Sequence, residues 1–236
     1  MERLQKTISN SGYTSRRKAE QLIVEGKVTV NGETITELGF KTKAGDIVTV
    51  EGIMISKESK EYYLLNKPRG YISAVSDDLG RKVVTDLINT HVRIYPVGRL
   101  DYDTTGLLIL TNDGDFANKL IHPSFGLKKT YVAKIKGNLT MESFHKLKDG
   151  IMLDKTLCQA VKIKIKKSDK AKQTDLISIT VNVGVNRVVK RMFESVGHQV
   201  IKLKRESIDF LTLDNLNSGD YRKLTKEEIN LIKTTY

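Results

Sequence analysis

The chain has 236 residues, room for one large domain or for a small and a medium one, and its 39% hydrophobic and 29% charged content excludes a disordered protein. Its single cysteine, Cys158, excludes an intramolecular disulfide and fits a cytoplasmic protein, and its four histidines lack metal-ligand spacing, so no metal site is expected. No apolar run follows the N-terminal charges or reaches membrane-spanning length, and the net charge of +12 favours a polyanionic partner, with solubility as the bland alternative.

The positive charge is uneven. Residues 121–172 carry 13 Lys and Arg against 4 Asp and Glu, whereas residues 1–52 carry 8 against 7. Recognition of a polyanion by the first region therefore has to rest on local clustering. Leu4 and Ile8 place a first short helix there, ended by Ser11-Gly12. Thr14 or Ser15 can cap a second helix that runs to Glu25, with Gly26 behind it and Ala19, Leu22 and Ile23 as its buried stripe. The segment Val28–Ile35 alternates around Asn31-Gly32, a hairpin signal, and Gly45-Asp46 precedes a strand over Ile47–Val50.

Arg16, Arg17 and Lys18 fall in the first turn of the second helix, where cations oppose the helix dipole at roughly 0.3–1 kcal/mol each. Selection for stability alone would put acids there. Three bases beside free helical N–H groups make a phosphate site. The pattern Arg3-Leu4, Ser15-Arg16-Arg17-Lys18-Ala19, Gly26-Lys27-Val28 and Val30-Asn31-Gly32 resembles the αL-type RNA-binding domain of a small-subunit ribosomal protein, the S-four type. The resemblance implies an RNA-binding domain over residues 1–51, with Arg3, Arg16, Arg17, Lys18 and Lys27 as its contacts.

Residues 52–60 read as a polar linker, and 61–236 as a second domain. It opens with the strand Tyr62–Leu65 and a basic turn, Asn66-Lys67-Pro68-Arg69-Gly70. Val83–Ile88 fits a short helix or a strand. The stretch Pro96–Phe116 joins a loop, a buried apolar strand at Leu107–Leu110, and a turn at Asn112-Asp113-Gly114 into a helix. Asp101 sits on that loop after Arg99, where it either braces the turn or presents a reactive carboxylate. Further strands are expected at Lys128–Gly137, Val161–Lys166, Leu176–Val183 and Val200–Arg205. The lysines of Val161–Lys166 point outward, a solvated face unless the sheet faces nucleic acid. Helices are expected at Met141–Lys148, at Arg187–Val196 with Arg187, Lys190 and Arg191 off the apolar stripe, and after Thr225. The mix is α+β with a mixed, mainly antiparallel sheet flanked by helices.

Several segments together resemble the bacterial rRNA pseudouridine synthases of the small-subunit-A/large-subunit-B group. They are Leu65–Gly70, Pro96–Asp101, Asp103–Leu108, Thr111–Gly114, Lys129-Thr130-Tyr131, Arg191–Glu194 and Leu203-Lys204-Arg205. The αL domain and Arg222-Lys223-Leu224 look most like members acting on large-subunit rRNA. The resemblance implies an isomerase that needs no cofactor, with Asp101 as the catalytic carboxylate. It implies Tyr131 stacked on the target base, Lys190 as the cation facing Asp101, and Arg99, Lys67 and Arg69 holding the substrate. The partner implied is a 23S rRNA stem-loop, bound by a monomer.

The reaction breaks the bond from ribose carbon 1′ to base nitrogen 1, turns the base, and forms a carbon–carbon bond to base carbon 5. A carboxylate assists as a nucleophile or by removing a ribose proton, and either role needs it ionised beside a cation. The family usually has polar residues where this chain has Val185 and Val188. Two alternatives therefore stand beside the 23S reading: a synthase acting on 16S rRNA, and a weakly active rRNA-binding assembly factor.

Overall fold

The computed structural model describes all residues, 1–236. They form two compact units, one comprising Met1–Glu61 with Thr90–Ile94 and Asn112–Gly114, the other the remaining residues.

In the first unit, helices Leu4–Asn10 and Arg16–Val24 pack through Leu4, Ile8, Ala19, Leu22 and Ile23 onto Val28, Val30, Val48 and Val50 of a small sheet. Ser15 caps the second helix by accepting the Lys18 N–H at 3.2 Å. Strand Val28–Val30 pairs with both Glu33–Thr34 and Val48–Val50. Asn31 and Gly32 both take positive φ, 53° and 85°, which gives the hairpin the turn twist its strands require. The same chemistry recurs at Glu51 and Gly52, with φ of 50° and 81°. There the chain turns back, and Ile53–Met54 pairs with Val48–Val50. The sheet thus extends into the segment expected as linker: Glu51-Gly52 is a hairpin turn with the apolar Ile53-Met54 as its returning strand, and only the run from Ser56 on is polar.

The second unit is built on one sheet. Its strands lie in the order Lys162–Asp169, Thr174–Val181, Lys129–Lys136, Val200–Ile208, Thr105–Thr111, Tyr62–Lys67 and Tyr221–Lys223. All neighbours are antiparallel except Val200–Ile208 and Thr105–Thr111, which are parallel. Tyr95–Val97 and Leu211–Thr212 add short pairings at the side. Helices Gly114–Ile121 and Lys226–Thr235 bury Phe116, Ala117, Leu120 and Ile232 against Leu64, Leu107 and Ile109. Val84–Leu87 is a single 3-10 turn. The α+β class and the mainly antiparallel sheet agree with the sequence expectation.

Gly106 sets how closely the two parallel strands approach. It faces Arg205 in register, and a Cβ on Gly106 would stand 2.2 Å from the Arg205 carbonyl oxygen and 2.7 Å from its nitrogen. Its φ of 108° also disfavours any side chain. Arg205, 4% exposed, donates from Nε to the Leu107 carbonyl at 2.7 Å and so ties the same junction from its other side.

Candidate active site

Asp101 stands on the loop that enters strand Thr105–Thr111, and this loop is held at several points by backbone-directed bonds. Lys67, at the end of strand Tyr62–Lys67, is fully buried. Its Nζ donates to the carbonyls of Asp101 at 3.0 Å, Thr104 at 2.9 Å and Pro68 at 3.2 Å. Three N–H donors meet three acceptors, which suits the ammonium form, while burial pushes its pKa down to about 8. The hydroxyl of Ser73 donates to the Leu100 carbonyl at 2.8 Å and accepts the Leu100 N–H at 3.1 Å. The N–H of Gly70 donates to the Tyr102 carbonyl at 2.9 Å. Lys67, expected on the surface of its turn as a substrate cation, instead lies inside and holds the loop. A lysine next to a proline turn carries no signal of which way its side chain runs.

Facing the loop is helix Val188–Ser195. Its buried residues include Lys190 as well as Val188, Val189, Met192 and Phe193, so Lys190 lies inside and not off the apolar face. The Lys190 ammonium donates to the Asp101 carboxylate at 2.9 Å and to Asp103 at 2.7 Å. The lysine side chain is 8% exposed, against 36% for Asp101 and 48% for Asp103. One sheltered cation therefore serves two carboxylates that open toward solvent. The bond from Lys190 holds the Asp103 carboxyl below its ordinary range, with a smaller contribution from the charge of Arg69. Asp103 was legible only as part of a motif; its sharing of Lys190 had no sequence signal.

Asp101 opens onto a cleft of about 300 Å³, also lined by Arg99, Thr104, Tyr131, Arg187 and Leu203. Tyr131, 8% exposed, comes from strand Lys129–Lys136. Thr104 is buried and its hydroxyl has no protein partner. Arg99 and Arg187 are exposed on the rim, and Arg187 holds a positive φ of 50° where the chain enters the helix. Val185 and Val188, the positions noted as apolar substitutions, both line the cleft. Arg69 is exposed and does not line it. The structure thus brings Asp101, Tyr131, Lys190 and Arg99 together, adds Asp103, Thr104 and Arg187, and sends Lys67 beneath the loop.

In the first unit Arg3, Arg16, Arg17, Lys18 and Lys27 are all exposed. No acidic residue lies in the first turn of the helix bearing Arg16, Arg17 and Lys18. Lys27 is paired with Glu25 at 2.9 Å and Glu51 at 3.5 Å, so much of its charge is already answered.

Residues 61–195 match the RNA pseudouridylate synthase family, and residues 2–48 match the S4 domain. The chain is 55% identical to the ribosomal large subunit pseudouridine synthase B of Bacillus subtilis (strain 168), over 99% of this chain and 96% of that one. It is 36% identical to the dual-specificity RNA pseudouridine synthase RluF of Escherichia coli (strain K12), over 96% of this chain and 77% of that one. Among solved structures, a crystal structure of a pseudouridylate synthase superposes with a TM-score of 0.69 at 27% identity, covering 98% of this chain and 100% of that one. With matches this extensive across both units, the chain belongs to the RNA pseudouridine synthase family, isomerases that convert uridine to pseudouridine in RNA.

Proposed function

We propose that this enzyme isomerises one uridine in a stem-loop of 23S rRNA, with Asp101 as the essential carboxylate. The observation that carries the reading is the Asp101–Lys190 pair at 2.9 Å, at a cleft that Tyr131 also lines. Support for the large-subunit target comes from the 55% identity to a ribosomal large subunit synthase. A cleft of about 300 Å³ is at the lower end of ligand sites, room for a nucleotide and not for a helix. The target base must therefore leave its stack, at a cost of a few kcal/mol.

Within that reading Asp101 attacks the nucleoside or removes a ribose proton, and the ion pair from Lys190 at 2.9 Å holds its carboxylate in place as RNA enters. Tyr131 stacks on the detached base while it turns, and its hydroxyl is available for the proton leaving carbon 5. Arg99 and Arg187, on the rim, meet the phosphates that flank the extruded nucleotide. Arg16, Arg17 and Lys18 bind the RNA elsewhere along its backbone. The reaction is redox-neutral, so the residues named suffice for the chemistry. RNA binding by the first unit, whose sheet runs on to Met54, and catalysis by the second go with this division of labour.

Mapping pseudouridine on unmodified 23S and 16S rRNA after incubation with the wild-type protein and Asp101→Asn tests the proposal. The expected result is one new 23S site that the variant does not make. A site in 16S would move the target to the small subunit. RNA bound without modification would leave an assembly factor.

A further inference from the structure

The lysine-rich strand Lys162–Asp169 lies at the outer edge of the large sheet, beside Thr174–Val181. Strand register shows what its lysines share a face with. Lys164 stands opposite Ser178, which faces Val132, which faces Lys204. In the next row Lys167 stands opposite Leu176, which faces Lys134, which faces Lys202. Paired residues point to the same side of a sheet, so five lysines from three strands form one array. Neighbouring strands lie ~4.8 Å apart and successive same-face residues ~7 Å apart along a strand, which fixes the spacing of the charges.

Three observations separate this array from an ordinary solvated face. Neither row contains an acidic residue, and none of the five lysines forms an ion pair. Lys134 and Lys202 are directly opposed, a like-charge pairing that weakens a sheet. Val132, Leu176 and Ser178 between them are only half-buried, so no helix covers this side. Acids stand at the margins of the array: Asp169, two residues beyond Lys167, shares its face, and Glu206 is engaged by Lys166 at 3.6 Å, both of these at strand irregularities. The alternate residues Tyr131, Ala133, Ile177, Ile179 and Leu203 are buried on the other side, and two of them, Tyr131 and Leu203, line the Asp101 cleft. The array therefore occupies the side of the sheet turned away from the cleft.

We propose that this rear face is a second RNA-contact surface, which holds the phosphate backbone of the same RNA outside the segment engaged at the cleft. The inference rests on the reading of ribosomal RNA as substrate, since only a long folded RNA can reach both sides of one sheet. Lysines, as point charges without a bidentate fork, suit a sequence-independent grip on phosphates. A rigid, in-register slab of them suits a continuous polyanion better than a single small anion.

The test uses the full chain with Lys134, Lys164, Lys167, Lys202 and Lys204 all changed to Gln, and a second variant with the same five changed to Arg. Equilibrium binding to protein-free 23S rRNA is measured across a salt series, beside binding to a short RNA hairpin. Each phosphate contact contributes roughly 0.7–0.9 to the salt slope. The expected result is a slope on 23S rRNA reduced by about 2 to 4 in the Gln variant, retained in the Arg variant, and unchanged on the hairpin for all three proteins. Amine-reactive footprinting of the wild type should show the five lysines protected by 23S rRNA. An unchanged 23S slope, an equal loss on the hairpin, a loss in the Arg variant as well, or lysines that stay reactive under bound RNA would overturn the proposal. So would protection by anionic phosphatidylglycerol vesicles and not by RNA. Because binding and footprinting are read without turnover, absence of pseudouridine in 23S rRNA would defeat the proposed function and leave this result standing.

Discussion

Arg16, Arg17 and Lys18 stand exposed on a helical turn that holds no acid, while Lys67 and Lys190 are buried with oxygens arrayed around them. The first group keeps its charge unanswered and therefore available, so it contributes affinity and salt dependence. The second group spends its charge inside the protein, on three carbonyls in one case and two carboxylates in the other. It contributes geometry, because a buried ammonium with matched acceptors fixes the loop it touches. Cations of one type thus divide between catching the RNA and holding the reactive group, and this division can be broken from either side.

The largest effect is expected at the carboxylate itself. Asp101→Asn should remove product formation, a loss of at least ~10³-fold, with RNA affinity within about twofold of wild type. Single-turnover assays and direct binding on the same RNA check both halves, and residual turnover would remove Asp101 from its assigned role. Next comes its cation. Lys190→Met removes the ammonium that bridges Asp101 and Asp103, and kcat should fall by roughly 10²–10³-fold while binding to RNA changes little. A variant that loses affinity and keeps kcat would move Lys190 into the RNA-catching class and erase the distinction.

A smaller effect follows from the titration of Lys67. Its folded pKa of about 8 lies below its ordinary 10.5, so between those values the unfolded chain holds the extra proton. By linkage this group then favours folding more as pH rises through that window. The native amine meanwhile has only two N–H donors for three carbonyls, and the loop bearing Asp101 loses one anchor. Turnover should therefore fall several-fold above pH ~8 while this group's contribution to stability moves the other way. Rates and thermal midpoints from pH 6.5 to ~9.5 test the divergence. Lys129, also lowered to about 8 by burial, titrates in the same range, so a Lys129→Met variant should keep the fall.

How much of this was readable in the sequence depended on how locally each feature is determined. The cap at Ser15, the Asn31-Gly32 turn and the apolar strand ending at Leu110 are set by neighbours a few positions away, and they stand where the residues predict. The turn at Glu51-Gly52 was equally local, but the polar run that follows from Ser56 to Glu61 made the whole segment resemble linker. Asp101, Tyr131 and Lys190 were legible as a set only through family resemblance, since nothing in their spacing brings them together. The inward course of Lys67, the partnership of Asp103 with Lys190 and the clamp of Ser73 on Leu100 were not legible. Each depends on segments that meet only after the sheet has formed. Gly106 and Arg205 show the reason most plainly. They abut because two strands run parallel, and the bond from Arg205 to Leu107 closes a separation of 98 positions.

The smallest predicted effect probes the exposed side of the comparison. Replacing Arg16, Arg17 and Lys18 with Ala removes three charges that no intramolecular acid in that turn depends on. Stability should stay level or rise slightly, because cations in a first turn oppose the dipole by roughly 0.3–1 kcal/mol each. Affinity for RNA should drop by about tenfold at low salt, and the slope of log affinity against log salt should flatten by about 2 to 3. Saturating RNA should restore kcat, since none of the three lines the cleft that holds Asp101. An unchanged slope would mean that this helix does not carry phosphate contacts. The misplaced charge in its first turn would then need another reason.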